Sequence, residues 1–277
     1  MALANMRQLL QQARAQGRAV GAFSVSSVEM ICGVIRAAEE LQTPVILQVA
    51  EVRLPHSPLH VIGPAMLSAA RAARVPVGVH LDHGVTPECI REALDMGFTS
   101  VMFDGSRLEM AENIARTQEV IRMAAGRGAS VEAEIGVVGK TESGAALTAQ
   151  CADPEEAVRF VRQTGVDALA VAIGNAHGVY EGTPELRFDV LERMQGRCGD
   201  TSFVLHGGTG VTAEDFRRAI SLGMHKINIA TASFMAVHRA AQGAADYFDM
   251  SDRMRAAAEA VAREHIEIFG VCKEERA

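Results

Sequence analysis

Eight short apolar runs, rich in Val, Ile and Ala, alternate along the chain with amphipathic segments of helical period, and no other feature restricts the fold as tightly. The runs are Ala19–Ser24, Val45–Val49, Val77–Leu81, Ser100–Phe103, Ser130–Glu134, Ala168–Ile173, Phe203–His206 and Lys226–Ile229. They are hydrophobic almost throughout rather than at every second residue, as parallel strands buried on both faces are. Between them the periodicity predicts helices over Val28–Leu41, Leu59–Arg74, Pro87–Met96, Met110–Gly126, Pro154–Thr164, Arg187–Met194 and Ala213–Leu222. An amphipathic helix precedes the first run, and more helix follows the last, from Ala232 to Phe269. Gly97, Gly165 and Gly223 stand between helix and strand, where a left-handed cap fits. This order predicts an α/β protein, a closed (β/α)8 barrel spanning 1–277 as one domain, with a doubly wound open sheet as the alternative. The barrel is favoured because eight strands account for the length and no linker or low-complexity stretch marks a boundary.

Composition removes several classes of function. Of the 277 residues 48% are apolar and 22% charged, which suits a globular chain with a large core. The net charge is −7 and no basic run stands out, so nucleic acid is not an expected partner. No apolar run approaches the roughly 18 residues of a membrane span. Cys32, Cys89, Cys151, Cys198 and Cys272 are scattered and odd in number, which fits reduced thiols and a cytoplasmic location better than a disulfide framework. The first twenty residues contain no signal-peptide core or cleavage site.

In a barrel of this kind the site forms at the carboxyl ends of the strands. Polar residues gather there: Ser24, the pair Asp82 and His83, Asp104, Glu134, His177, His206 and Asn228. Asp82 and His83 are adjacent at the exit of the third strand, where a metal ligand or proton carrier is one reading. A helix-capping Asp beside a surface His is the other. Three histidines from three strand ends, His83, His177 and His206, form a catalytic divalent-metal arrangement if the barrel closes. Asp104 and Glu134 then either make a second metal position or orient the histidines. His80 lies inside a strand and reads as a hydrogen-bonded core residue. His56, His60, His225, His238 and His265 read as solvated. Gly207, Gly208, Thr209 and Gly210 lead into a helix, and Asn228, Ile229, Ala230 and Thr231 lead into another. Backbone amides at such turns converge on anions, and the loops after strands seven and eight are the usual phosphate site of barrels.

The motifs LDHG, VMFDGS, VEAEIG, AIGNAHGVY, VLHGGTG and KINIAT, in this order, resemble those of the class II fructose-bisphosphate and tagatose-bisphosphate aldolases. The resemblance runs from GAFSV at Gly21 to the final helices. It implies a zinc-dependent barrel that joins dihydroxyacetone phosphate to an aldehyde, or splits the product. It implies one catalytic Zn2+ per chain on His83, His177 and His206, and a second divalent position at Asp104 and Glu134. Asp82 matches the acid that handles the C4 hydroxyl proton, and Glu142, in GVVGKTESG, the mobile acid assigned to the C3 proton. Gly178, Gly207 to Thr209 and Asn228 to Thr231 match the contacts to dihydroxyacetone phosphate. A monovalent cation beside the phosphate, a homodimer or homotetramer, and a place in carbohydrate metabolism such as glycolysis are further implications.

Three positions depart from the family pattern. Ser24 in GAFSV stands where asparagine is usual, Ala50 in LQVAEV where serine is common, and Glu181 in HGVYEG where lysine is common. All fall on the half of the site expected to hold the aldehyde, where a second phosphate would meet the like charge of Glu181. Arg53, in EVRL, offers a guanidinium that suits an acid group, though a solvated loop charge is the plainer reading. Three readings follow: an aldolase of fructose or tagatose bisphosphate, the same chemistry on a 6-phospho-5-dehydro-2-deoxygluconate or sulfo-sugar phosphate, or a non-catalytic sugar-phosphate-binding subunit. The intact Asp82 and histidine set argue against the third.

Overall fold

The structure is a computed structural model that describes residues 2–139, 150–180, 182 and 184–270. Strands β1 (Val20–Ser24), β2 (Val45–Ala50), β3 (Val77–Gly84), β4 (Ser100–Phe103), β5 (Ser130–Ile135), β6 (Ala168–Val171), β7 (Ser202–Leu205) and β8 (Met224–Ile229) pair in parallel in sequence order. β1 also pairs with β8, so the sheet closes into a barrel and the open-sheet alternative is excluded. Helix α1 (Met6–Ala15) precedes β1. Helices α2 (Val28–Glu40), α3 (Leu59–Ala72), α4 (Pro87–Met96), α5 (Met110–Ala125), α6 (Pro154–Thr164), α7 (Phe188–Met194) and α8 (Ala213–Ser221) join successive strands, and α9 (Thr231–Ala241) and α10 (Tyr247–Phe269) follow β8.

Local chemistry sets the helix starts. Ser27, Thr86, Asp153, Thr212 and Asp246 each accept a backbone N–H of the first turn, and Pro87 and Pro154 occupy the first helical position, where no N–H is needed. Thr86 rather than Asp82 caps α4, which removes the capping reading of Asp82. Gly97 and Gly165 end α4 and α6 in the left-handed conformation.

Two apolar layers result. The larger lies between strands and surrounding helices. The smaller fills the lower barrel, where Met6, Leu9 and Leu10 of α1 meet Val20, Ile46 and Val204. The segment before α1 also pairs with β3, through Val77 N–H to Ala2 O at 2.6 Å and Ala4 N–H to Val77 O at 2.9 Å. This plug closes the amino-terminal end and leaves the carboxyl end for the polar residues. Because β8 begins at Met224, two residues before the predicted start, His225 is buried in the strand rather than solvated, with Nδ1 3.2 Å from Arg18 O. His265 is also no surface residue: it is half-buried on α10, and its Nδ1 lies 2.8 Å from Val261 O.

Helices α2 and α10 pack at Gly33, where an added Cβ would meet Arg255 O at 2.5 Å and Glu259 N at 2.8 Å. Both are backbone atoms that only a helix shift can move. Gly33→Ala should therefore cost about 1–3 kcal/mol by overpacking and lower the melting temperature by several degrees. Gly126→Ala, into open space at the end of α5, should leave it nearly unchanged. Calorimetry of the two variants checks the separation of the helices; equal melting temperatures would contradict it.

Candidate active site

The inward positions of the strands turn polar toward their carboxyl ends. Asp82, fully buried on β3, accepts from Gln48 Nε2 of β2 and from Asn228 Nδ2 of β8, each at 3.1 Å. Gln48 Nε2 also donates to Ser24 Oγ of β1 at 3.1 Å. Neighbouring residues of a strand normally face opposite ways. At Asp82 and His83 that alternation fails: His83 has φ +44°, and the register between β3 and β4 shifts between Leu81 and Gly84. A left-handed non-glycine residue costs roughly 1–3 kcal/mol, and such strain persists only where the surroundings enforce it.

The imidazoles of His83, His177 and His206 converge, each offering a nitrogen within 4.8 Å of the others. His206 Nδ1 lies 2.9 Å from His83 Nε2. The far nitrogens are held by carboxylates: His83 Nδ1 is 2.9 Å from Asp104 Oδ2, and His206 Nε2 is 2.8 Å from Glu132 Oε1. Such partners fix the tautomer and aim the free nitrogen inward. Backbone ties place the loops. Asn175 Nδ2 donates to His206 O at 2.8 Å while its Oδ1 accepts from Ile173 N at 2.7 Å. The Tyr180 hydroxyl donates to Gly207 O at 2.9 Å and accepts from Ala176 N at 2.8 Å. Gly207 has φ +68°, and a Cβ there would stand 2.1 Å from Ala176 O, so no other residue fits.

Electrostatics mark the same spot. Burial opposes the charged form of His83, but Asp82, Asp104 and Glu134 outweigh it and raise its pKa well above the usual value. Burial and the charge of His83 hold His206 well below. Burial would raise the pKa of Asp104, yet its hydrogen bond to His83 leaves it below the ordinary carboxylate value. Burial, then the charge of Asp104, pushes Glu134 well above its own. Glu134 Oε2 is buried without a hydrogen-bond donor, 3.8 Å from His83 Nδ1 and 3.7 Å from His206 Nδ1. Converging imidazoles and an unsatisfied carboxylate oxygen fit a divalent cation. A second group, His80, Asp82 and Glu132, could also hold a metal by distance. There Lys226 Nζ, 2.8 Å from Glu132 Oε2, already supplies the cation.

The glycine loop after β7 meets the start of α9, because Thr209 Oγ1 accepts from Ala232 N at 3.1 Å. Gly208, Thr209 and Asn228 to Thr231 thus sit between the amino termini of α8 and α9, and α9 has no capping side chain at Ala230. Gly178 follows His177 with φ +88°. Ser24 is buried on Gln48 and does not stand free on the rim. Arg53 ends a short 3-10 turn after β2, its guanidinium 5.6 Å from the ring centroid of Phe234. Glu51 of that turn accepts from Val85 N at 2.6 Å and from the Thr86 hydroxyl at 2.6 Å, which braces the chain just beyond His83. Glu142 and Glu181 lie outside the described residues. Sequence reasoning missed Glu132, Lys226, Gln48, Asn175 and Tyr180. The first three carried a usable signal, a charged or amide residue at an alternate position of an apolar strand.

A closed parallel barrel with a histidine cluster on its carboxyl rim defines an enzyme scaffold with a metal-compatible site. The comparisons with known proteins give the family. The model of fructose-bisphosphate aldolase class-II matches residues 4–275. A 6-phospho-5-dehydro-2-deoxy-D-gluconate aldolase of Bacillus licheniformis is 41% identical over 239 residues, covering 85% of this chain and 82% of that protein. A fructose-bisphosphate aldolase of Geobacillus stearothermophilus is 41% identical over 244 residues, covering 87% and 85%. The crystal structure of the YdjI aldolase from Escherichia coli K12 superposes with a TM-score of 0.89 at 36% identity, over 97% of this chain and 98% of that one. The chain belongs to the class II fructose-bisphosphate aldolase family, and it is a carbon–carbon lyase.

The raised pKa of His83 has a consequence for metal uptake. Without a metal the neighbouring carboxylates favour the protonated form of His83, and a metal must displace that proton. Affinity for a divalent ion should therefore rise with pH, with proton release on binding. Calorimetric titration in buffers of different ionisation enthalpy measures both, and a pH-independent affinity without proton release would contradict the assignment.

Proposed function

We propose that this protein is a zinc-dependent aldolase that reversibly splits a ketose phosphate into dihydroxyacetone phosphate and an aldehyde. The convergence of His83, His177 and His206 beside a doubly hydrogen-bonded Asp82 carries the proposal. One zinc per chain would sit on the three imidazoles, with Asp104 and Glu134 as a second divalent position or as partners of the first. When bound, zinc supplies a Lewis acid for the negative charge that develops on the ketone oxygen. Asp82 takes the proton of the C4 hydroxyl as the C3–C4 bond breaks and its electron pair passes toward the carbonyl. Both oxygens of Asp82 keep a lone pair beyond the bonds from Gln48 and Asn228, so the carboxylate is held in place yet still able to accept. Glu142 is assigned the return of a proton to C3. The phosphate is assigned to the backbone N–H groups of Gly178, Gly207 to Thr209 and Asn228 to Thr231, with a monovalent cation beside it as a further assignment. No helix among the described residues is long and apolar enough to cross a membrane, which accords with a cytoplasmic enzyme, and a homodimer or homotetramer is the assembly assigned.

Fructose or tagatose 1,6-bisphosphate is the first substrate reading, and carbohydrate metabolism its setting. The relatives named for 6-phospho-5-dehydro-2-deoxy-D-gluconate favour a second, in which the aldehyde half carries a carboxylate. Arg53 supports it: the cation stands on the carboxyl rim at the end of β2, stacked on Phe234 and with its Nε buried. Ala50 offers no hydroxyl to a phosphate, and Glu181 would repel one.

Asp82→Ala should retain zinc but lose on the order of 10²-fold or more in cleavage rate. Cleavage at the normal rate would assign the hydroxyl proton to another group. Glu142→Ala should chiefly slow solvent exchange of the C3 proton of dihydroxyacetone phosphate.

The aldehyde half is read from kcat/KM on a panel of fructose bisphosphate, tagatose bisphosphate and a carboxylate-bearing ketose phosphate. Arg53→Met should cost the carboxylate substrate about tenfold to a hundredfold, the worth of a charge-assisted hydrogen bond, and the bisphosphates less. Glu181→Lys should improve the bisphosphates. A strong preference for fructose bisphosphate that neither substitution alters would remove the acid-aldehyde reading.

A further inference from the structure

Two polar chains leave the buried ammonium of Lys226 and end on opposite halves of the site. Nζ lies 2.7 Å from Asn228 Oδ1 and 2.8 Å from Glu132 Oε2. An ammonium only donates, so Asn228 must turn its oxygen toward Lys226. Its NH2 group then points the other way and donates to Asp82 Oδ1 at 3.1 Å. On the second arm Glu132 presents Oε1 to His206 Nε2 at 2.8 Å. A carboxylate only accepts, so Nε2 carries the hydrogen and Nδ1 keeps the lone pair. Nδ1 is the atom that faces His83 Nε2. His80 is the remaining neighbour, with Nε2 3.5 Å from Glu132 Oε2 and Nδ1 2.8 Å from Ser100 Oγ. Apart from the half-buried His83 these side chains are buried, and water offers them no alternative partner.

We propose that Lys226 and Glu132 are positioning residues, a buried ion pair that sets hydrogen-bond polarity in both arms: it gives His206 the tautomer a divalent metal requires and gives Asp82 the amide donor that aims it. The inference rests on the reading of His206 as a metal ligand and of Asp82 as the proton acceptor. A purely structural ion pair would stabilise the barrel without dictating either polarity.

Glu132→Gln separates the two. Beside Lys226 the new amide must turn its oxygen to the ammonium, so its NH2 faces His206 Nε2. That nitrogen must then accept, the hydrogen moves to Nδ1, and the metal-facing lone pair is lost. In Glu132→Gln/Lys226→Met nothing demands the oxygen, the amide can turn, and His206 regains the useful tautomer. Zinc affinity, measured on the holoenzyme by competition with a chelator, should fall about 10–100-fold in Glu132→Gln and return to within about threefold of the unsubstituted protein in the double variant. Turnover should stay at least about tenfold down in the double variant although zinc is held, because Asn228 has lost the ammonium that orients it. Glu132→Gln that binds zinc as tightly as the unsubstituted protein, or a double variant that binds no better than the single, overturns the proposal. Should the single variant fail to fold, the double decides alone: zinc retained with turnover lost supports the inference, and normal turnover overturns it. The underlying metal reading fails differently, by an unsubstituted protein that retains no zinc or by His206→Ala that retains it fully.

Discussion

Burying ionised groups inside a barrel is the condition on which this site depends. An ion transferred from water to the protein interior loses several kcal/mol unless partners replace its hydration. Here the partners come from strands far apart in sequence: Lys226 of β8 faces Glu132 of β5, and Asp82 of β3 is flanked by Gln48 of β2 and Asn228 of β8. No open sheet would bring β2, β3, β5 and β8 around one point. Closure is thus what makes the charge tolerable. The apolar plug of α1 confines it to one end, since the lower barrel is filled by Met6, Leu9 and Leu10 against small and branched strand residues. Within this layer Glu134 is a buried carboxyl with one oxygen lacking a donor and a pKa raised by burial. An isolated feature of that kind would count against the fold. Beside converging imidazoles it is what a cation site demands.

Much of this was legible in the sequence because both signals are periodic. Continuous Val, Ile and Ala runs at regular spacing can be buried on both faces only in a parallel sheet, and the structure confirms the closed barrel. Rim residues were then found by position, each being the polar residue that ends an apolar run. What could not be read was pairing across the barrel. Glu132 and Lys226 look like errors in apolar strands until β5 and β8 are known to face each other. Asn175 and Tyr180 act through backbone groups of other loops, and nothing in their local pattern betrays that. How the adjacent Asp82 and His83 both reach the site could not be read either. On a regular strand one of them would point out of the barrel, and only the left-handed backbone at His83 and the register shift against β4 keep both at the site. His225 failed for the simpler reason that β8 starts before its first strongly apolar pair.

The two halves of the site differ in what holds them, and that bears on how substrate choice can change. The half proposed for phosphate and metal is assembled from backbone amides, glycine turns and imidazoles locked by carboxylates. Gly207, pressed against Ala176 O, leaves no space for variation, and Thr209 ties its loop to α9. Any substitution there disturbs several elements together. The half proposed for the aldehyde relies on side chains on connecting segments such as Arg53, which stands on a three-residue turn with its guanidinium over the Phe234 ring. A side chain on a turn can be replaced without moving a strand. The chemistry should therefore be the conserved property of such a scaffold and the aldehyde the adjustable one. This accords with similar identity to relatives named for two different substrates. Overall identity cannot discriminate between them, because it is 41% for both. Discrimination rests on the few side chains that reach the far end of the substrate, and a guanidinium there recognises carboxylate and phosphate through the same planar fork. What separates the two anions is then the charge around the fork, and under the proposal that Arg53 and Glu181 meet the aldehyde half, the acid rather than the arginine alone would decide which is accepted.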